Sequence, residues 1–141
     1  MPLSLTLKPD EKAIIGGAAI QNGPKTTTIT ITNKTVILRE KDVLTSETAN
    51  TPAKRIYFAV QLMYLAGSLE ESRDVHGAFM ELTRDFMTAC PTEEALGLIG
   101  EIGQNVIAEK FYKALKLCKD LIKYEKSIID MTPTNAGETG T

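Results

Sequence analysis

The apolar positions of this chain follow two rhythms, and the change from one to the other falls near residue 45. Leu3, Leu5 and Leu7 alternate with Ser4 and Thr6, the period-two pattern of a half-buried strand. Pro9-Asp10 turns the chain, and Ala13-Ile14-Ile15 reads as a second strand stopped by Gly16-Gly17, a pair suited to a tight hairpin. Ala18-Ala19-Ile20 is a brief third strand. Asn22-Gly23 after it is the strongest short hairpin signal in the chain. In Thr26 to Thr32 two isoleucines, Ile29 and Ile31, share one face and threonines the other. β-Branched residues at that density favour strand over helix. Asn33-Lys34 turns into a last strand, Val36 to Leu38, which ends in four alternating charges, Arg39, Glu40, Lys41 and Asp42.

Beyond a polar, aperiodic stretch the spacing changes to three and four. Thr51 predicts an N-cap and Pro52 the first helical position. Ile56, Tyr57, Val60, Met63 and Tyr64 form the stripe of that helix, and Gly67 ends it. Ser68 with Glu71 predicts a capping box for the next helix, whose stripe of Val75, Phe79, Leu82 and Phe86 runs to the break at Cys90-Pro91. Thr92 caps a third segment in which Gly97, Gly100 and Gly103 recur. Each glycine costs up to about 1 kcal/mol of helix stability, so that segment is expected to be loose or to pack closely on another backbone. From Gln104 the pattern strengthens, with Ile107, Phe111, Ala114, Cys118, Leu121, Ile122 and Ile129 on one side and lysines 113, 116, 119, 123 and 126 on the other. The expected architecture is α+β: a β module of about five short antiparallel strands over 1–44, a linker over 45–51, three to four helices over 52–131 and a flexible tail over 132–141. So small a sheet needs cover, from the helices or from a second copy of the chain, and a homodimer is expected.

Length and composition narrow the class. One chain of 141 residues, 43% hydrophobic and 24% charged, is an ordinary soluble globular protein rather than a disordered one. No apolar run approaches the ~20 residues that span a bilayer, and the start lacks the basic-then-apolar layout of a signal peptide, so a cytoplasmic protein is expected. Cys90 and Cys118 read as small buried thiols. With a single histidine they make no zinc site, and no metal or cofactor is implied. The net charge of −2 argues against an overall grip on nucleic acid. Through residue 60, however, eight Lys/Arg face five Asp/Glu, and from 61 eight face thirteen, so the front half leaves room for a local polyanion site.

Enzyme chemistry finds no support. His76, beside Asp74 and Val75, belongs to no catalytic signature and reads as an exposed helix residue. The glycines open neither a P-loop nor a dinucleotide fingerprint, and the cysteines lack a histidine to activate them. The lysines of the last helix, diluted by Glu109, Asp120 and Glu125, read first as the solvated side of an amphipathic helix. The charge run at 39–42 has two readings. It is either a surface ion-pair ladder of small worth, or a strand edge whose backbone groups and arginine read unpaired bases.

Several motifs together resemble one family. Leu7-Lys8-Pro9, Ile20-Gln21-Asn22-Gly23, Leu38-Arg39-Glu40-Lys41-Asp42, the run Ala49 to Phe58, and Tyr112-Lys113-Ala114-Leu115 look like FlbT, the flagellin-expression regulators of α-proteobacteria. The resemblance implies a regulator that binds the 5′ leader of flagellin messenger RNA and alters its translation or decay. In that family some members repress and others activate. The β part alone is similar, in order and spacing, to CsrA, a small dimeric β protein that binds leader RNA. That likeness implicates Leu5, Thr6, Lys8, Ile37, Leu38 and Arg39. It departs at Leu7, where CsrA has an arginine, at Asp10, where it has a glycine, and at Leu38, where it commonly has a histidine.

The expected RNA surface is therefore Arg39, Lys8, Lys41 and Lys34 with the CsrA-like positions, extended by Lys54 and Arg55 in the first turn of the first helix. The rival expectation is protein binding. The apolar helices and the glycine-rich segment would hold an amphipathic helix of flagellin or another flagellar regulator, and act on the message only through it.

Overall fold

A computed structural model describes residues 2–131, and the expected tail over 132–141 lies outside the described residues. The chain divides into two compact units, Met1–Val43 and Leu44–Thr141.

The first unit is all β. Its strands are β1 (Leu3–Leu7), β2 (Lys12–Ile15), β3 (Ala18–Gln21), β4 (Thr27–Ile31) and β5 (Ile37–Arg39). They form two antiparallel sheets, β1-β4 and β3-β2-β5. Gly16, at φ 63, makes the turn between β2 and β3 with the positive φ that glycine tolerates. The Asn22-Gly23 dipeptide does not make the hairpin expected of it, because β3 pairs with β2 and β4 with β1. Instead the Asn22 side-chain amide donates to the carbonyls of Lys8 and Lys25, both at 2.8 Å, and to that of Leu7 at 3.2 Å. Two of these three carbonyls, those of Leu7 and Lys8, are distant in the chain, and bonds to them are not encoded in local turn propensity. Leu3, Leu5 and Leu7 stand opposite Ile31, Ile29 and Thr27. Leu5, Leu7 and Ala13 centre one apolar cluster fed from both sheets, with Ile15, Ile20, Ile29 and Ile37 against it. Leu3, at the end of the strand, is exposed.

The second unit holds four helices: α1 (Pro52–Ala66), α2 (Arg73–Ala89), α3 (Glu93–Ile107) and α4 (Phe111–Met131). Thr51 Oγ1 accepts from Lys54 N at 3.2 Å, and Gly67 closes α1 in the left-handed conformation at φ 92. Ser68 Oγ accepts from Glu71 N, but this cap opens a 3₁₀ turn, Glu70–Ser72, and α2 proper starts at Arg73. Thr92 caps α3 through Ala95 N. The glycines of α3 do not mark a close backbone approach. The helix is continuous, and a Cβ added at 97, 100 or 103 would meet nothing within 4 Å. The strong pattern from 104 is also two helices rather than one. Glu109, at φ 58, breaks it after Ala108 and leaves Ile107 exposed rather than on the core side. Among the described residues no helix is long and apolar enough to cross a membrane.

One carboxylate is built into this unit's interior. Glu125 of α4 is buried, and its Oε2 accepts from Ala53 N at 2.9 Å. The first turn of α1 has no acid of its own, so Glu125 supplies both an acceptor for an orphan N–H and a negative charge at the positive end of that helix.

Candidate nucleic-acid interface

The register of β5 on β2 places the candidate site. Ala13 pairs with Arg39, so the arginine at the end of β5 lies beside the entry to β2, where Glu11 stands. Asp10 just before it adopts φ 61, the left-handed region. The turn closes with Glu11 N donating to Lys8 O at 3.1 Å, while Lys8 N donates to Glu11 Oε1 at 2.8 Å. The Glu11 carboxylate is thereby presented to Arg39, whose Nε donates to Oε2 at 3.0 Å and whose Nη2 donates to Oε1 at 2.9 Å. This two-pronged bond is the strong form of an ion pair. The same Nη2 also donates to the Thr6 carbonyl on β1, tying the arginine to a strand of the other sheet. The bond from Arg39, followed by that from the Lys8 N–H, holds the Glu11 carboxyl down at about 2 against an ordinary 4.5. The bond to Glu11 in turn raises the Arg39 guanidinium above its usual value.

Around the clasp runs an open groove of about 550 Å³ lined by Lys8, Pro9, Asp10, Glu11, Arg39, Glu40 and Lys41. Three cations and three anions line it, so its formal charge balances. What it offers a ligand is hydrogen bonding from a 30% exposed arginine side chain and two exposed lysines, rather than a strong net field. The alternating run at 39–42 is not a ladder of neighbours. Arg39 reaches back to Glu11, and Glu40, which opens the 3₁₀ turn Glu40–Asp42, accepts through Oε1 from Lys12 N of β2 at 2.7 Å.

The structure brings Thr6, Lys8, Arg39 and Lys41 together. Leu5 and Leu38 are buried, so neither offers a side chain to a ligand, and Ile37 is half-buried against the apolar cluster. Lys34 is exposed in the connection between β4 and β5. Lys54 and Arg55 belong to the second unit, in the first turn of α1. Leu7 and Leu38 are core residues at 2% exposure each. Asp10 keeps the turn a glycine would make, because aspartate is among the side chains that tolerate positive φ. Glu11 is the residue that sequence reasoning missed. Its partner is 28 positions away, and only the pairing of β2 with β5 joins them.

The cysteines and the histidine belong to the second unit. Cys118 is buried, and burial pushes its thiol up, away from the reactive thiolate; Cys90 is half-buried. His76 is half-buried rather than exposed. Its ring stacks on Phe79 at 6.2 Å, and its Nε2 has no hydrogen-bond partner. Among the described residues no three His, Cys, Asp or Glu side chains gather as a metal site.

The class is then a two-unit α+β protein: a small two-sheet β module with an arginine-clasped strand edge, followed by a four-helix unit. The chain belongs to the FlbT family, since the family described as Flagellar protein FlbT matches residues 3–129. It is 41% identical over 129 residues to the probable flagellum biosynthesis repressor protein FlbT 1 of Bradyrhizobium diazoefficiens, covering 91% of this chain and 85% of that one. It is 40% identical over 125 residues to the probable flagellum biosynthesis repressor protein FlbT of Caulobacter sp. strain K31, covering 89% and 94%. To the flagellum biosynthesis repressor protein FlbT of Caulobacter vibrioides it is 38% identical over 125 residues, covering 89% and 87%. No solved structure matches the chain.

Proposed function

We propose that this protein is a cytoplasmic post-transcriptional regulator of flagellin synthesis. It binds the 5′ leader of flagellin messenger RNA and controls translation or stability of that message while the flagellum is assembled. A role in flagellar regulation follows from the family and from relatives named flagellum biosynthesis repressors. The observation that supports RNA as the ligand is the Arg39 clasp. A guanidinium is held in fixed orientation by Glu11 and the Thr6 carbonyl, on a polar groove at a strand edge. Unpaired bases present donors and acceptors along their edges, and an arginine held in fixed orientation is suited to reading them. Lys8, Lys34 and Lys41 add phosphate contacts within the β unit, and Lys54 and Arg55 contribute cations of the helical unit. A homodimer covers strand edges that have no strand partner among the described residues, the outer edges of β1 and β4 among them. A single-chain mass by light scattering at micromolar concentration would exclude it.

The test is binding of the purified protein to labelled flagellin leader and to a scrambled RNA across a salt series. The leader is expected to bind more tightly. Arg39→Ala is expected to weaken it by about 10- to 100-fold, the loss of a charge-assisted bond. Arg39→Lys keeps the charge and loses the fork, so it separates geometry from electrostatics. Unchanged leader affinity in Arg39→Ala at moderate salt would remove the groove from the interface.

A second reading rests on a different feature. An apolar groove of about 420 Å³ opens among α1, α2 and α4, with Leu82, Phe86, Ile128 and Ile129 in its lining and Arg55 and Asp85 beside them. It suits the apolar side chains of an amphipathic helix from flagellin or another flagellar regulator, through which the protein would act on the message indirectly. Such binding would barely respond to salt.

A further inference from the structure

The solvent side of α4 carries a row that the β groove does not explain. At ~100° per residue, Tyr112, Lys116, Lys119, Lys123 and Lys126 fall within ~40° of one line along the helix. All five are exposed. From Lys116 to Lys126 the row is ~15 Å long, room for several phosphates at the ~3.4 Å per nucleotide of a stacked strand. The steps 116–119, 119–123 and 123–126 are all i,i+3 or i,i+4 neighbours of like charge, each unfavourable for an isolated helix. A merely solvated side is better served by acids among the lysines, yet none stands in the row itself between Lys116 and Lys126. Glu125 is turned inward to cap α1, Asp120 flanks the row and Asp130 ends it. The neighbouring α3 carries acids and no Lys or Arg at all.

A second, independent observation stands at the head of the row. Tyr112 is 50% exposed, and its ring lies 6.0 Å from that of Tyr64 at 45°. The Lys116 ammonium sits 5.2 Å above its centroid. An exposed aromatic next to a line of lysines is the combination that holds single strands: bases stack on the ring while the cations follow the phosphates. The Lys116 interaction with the ring is of the weak exposed kind, so an arriving base displaces it onto a phosphate. Between Lys116 and Lys126 the row holds no large apolar side chain to enter a lipid surface, since Ile129 and Met131, the exposed apolar residues of α4, lie off it.

We propose that this side of α4 is a second surface for binding single-stranded RNA, with Tyr112 as a base-stacking platform and Lys116, Lys119, Lys123 and Lys126 on the phosphates. The proposal rests on the RNA reading above and divides the labour within it: the balanced β groove selects, and α4 supplies the salt-dependent grip.

The experiment uses the full chain, labelled flagellin leader and a salt series. It compares the unmodified protein with Tyr112→Leu and with the combined variant Lys116→Gln, Lys119→Gln, Lys123→Gln and Lys126→Gln, helix-neutral exchanges at exposed positions. The combined variant is expected to keep its helical circular dichroism and to lower the slope of log affinity against log salt by about 3, at ~0.7 for each phosphate no longer neutralised. Tyr112→Leu is expected to weaken binding about 5- to 100-fold with the slope unchanged, the loss of one stacked base. If both variants bind as the unmodified protein does while Arg39→Ala weakens, α4 has no part and the RNA reading survives. An unmodified protein that binds no leader at any salt overturns both. Tighter binding to phosphatidylglycerol vesicles than to leader, abolished in the combined variant, would make the row a membrane surface and overturn the proposal.

Discussion

The Arg39 groove and the exposed side of α4 both gather cations, and the difference between them lies in where the carboxylates go. In the β unit, Glu11 comes to the cation. A turn through Asp10 and the β2–β5 register deliver it into the fork of Arg39, so the groove is neutral overall and fixed in shape. In the helical unit, Glu125 turns away from the cations. It points inward to the backbone of α1, while the lysine row faces solvent. Cation number is therefore a poor guide to surface potential. One arrangement builds a directional donor, the other a field, and only the second should respond steeply to salt.

The largest effect that tests this division is at Glu125. Glu125→Ala leaves the buried Ala53 N–H without its acceptor and is expected to cost about 1–3 kcal/mol in urea unfolding followed by helical circular dichroism. Glu125→Gln keeps an oxygen in place and loses only the charge at the start of α1, a smaller cost of about 0.3–1 kcal/mol. Equal losses in the two variants would mean that the charge, not the acceptor, is what α1 requires. No loss in either would mean that Glu125 is not held inward, and the contrast with Glu11 would fail.

The elements themselves were legible because their signals are local. The Leu3-Leu5-Leu7 alternation, the Thr51-Pro52 cap and the Cys90-Pro91 stop each depend on a few adjacent residues, and β1, α1 and the end of α2 fall there. What the sequence concealed is long-range. Asn22-Gly23 carries a hairpin signal, yet its amide is spent on the carbonyls of Leu7, Lys8 and Lys25. Glu11 and Arg39 show as a pair only once β2 lies beside β5. The lysine side of the last helix was visible in the spacing, but the charge tally by halves summed it with the acids of α2 and α3, so only an acidic excess showed after residue 60. Glu125 looked like dilution of that row, whereas it belongs to the interior.

The clasp makes a pH prediction whose sign follows from Glu11. Its carboxyl is depressed to about 2 from 4.5, so the folded state holds the proton less tightly than the unfolded chain does. The stabilisation is fully present above pH ~4.5 and is lost as pH falls from there toward 2. Amide exchange of β2 and β5 is expected to quicken across that window in the unmodified protein. Glu11→Gln, with nothing to titrate there, should be weakened already at pH 7 and show less change on acidification. A β unit equally protected at pH 7 and pH 3 would mean that the pair orients Arg39 without stabilising the fold.

The smallest expected effect is at Asp10, which sets the turn beneath the clasp. A side chain at φ 61 carries a left-handed penalty of roughly 1 kcal/mol, less for aspartate, whose short polar group bonds locally. Glycine would remove that penalty but costs roughly 0.5–1 kcal/mol in lost freedom on folding. The two nearly cancel, so Asp10→Gly is expected to change stability by no more than about 0.5 kcal/mol and to leave Arg39-dependent RNA binding in place. Asp10→Val meets the same φ with a branched Cβ and should lose more. If Asp10→Gly instead abolished leader binding while the β unit stayed folded, the Asp10 carboxylate would be acting in the groove itself. The clasp would then be one part of a larger acidic and basic constellation rather than the feature that defines the edge.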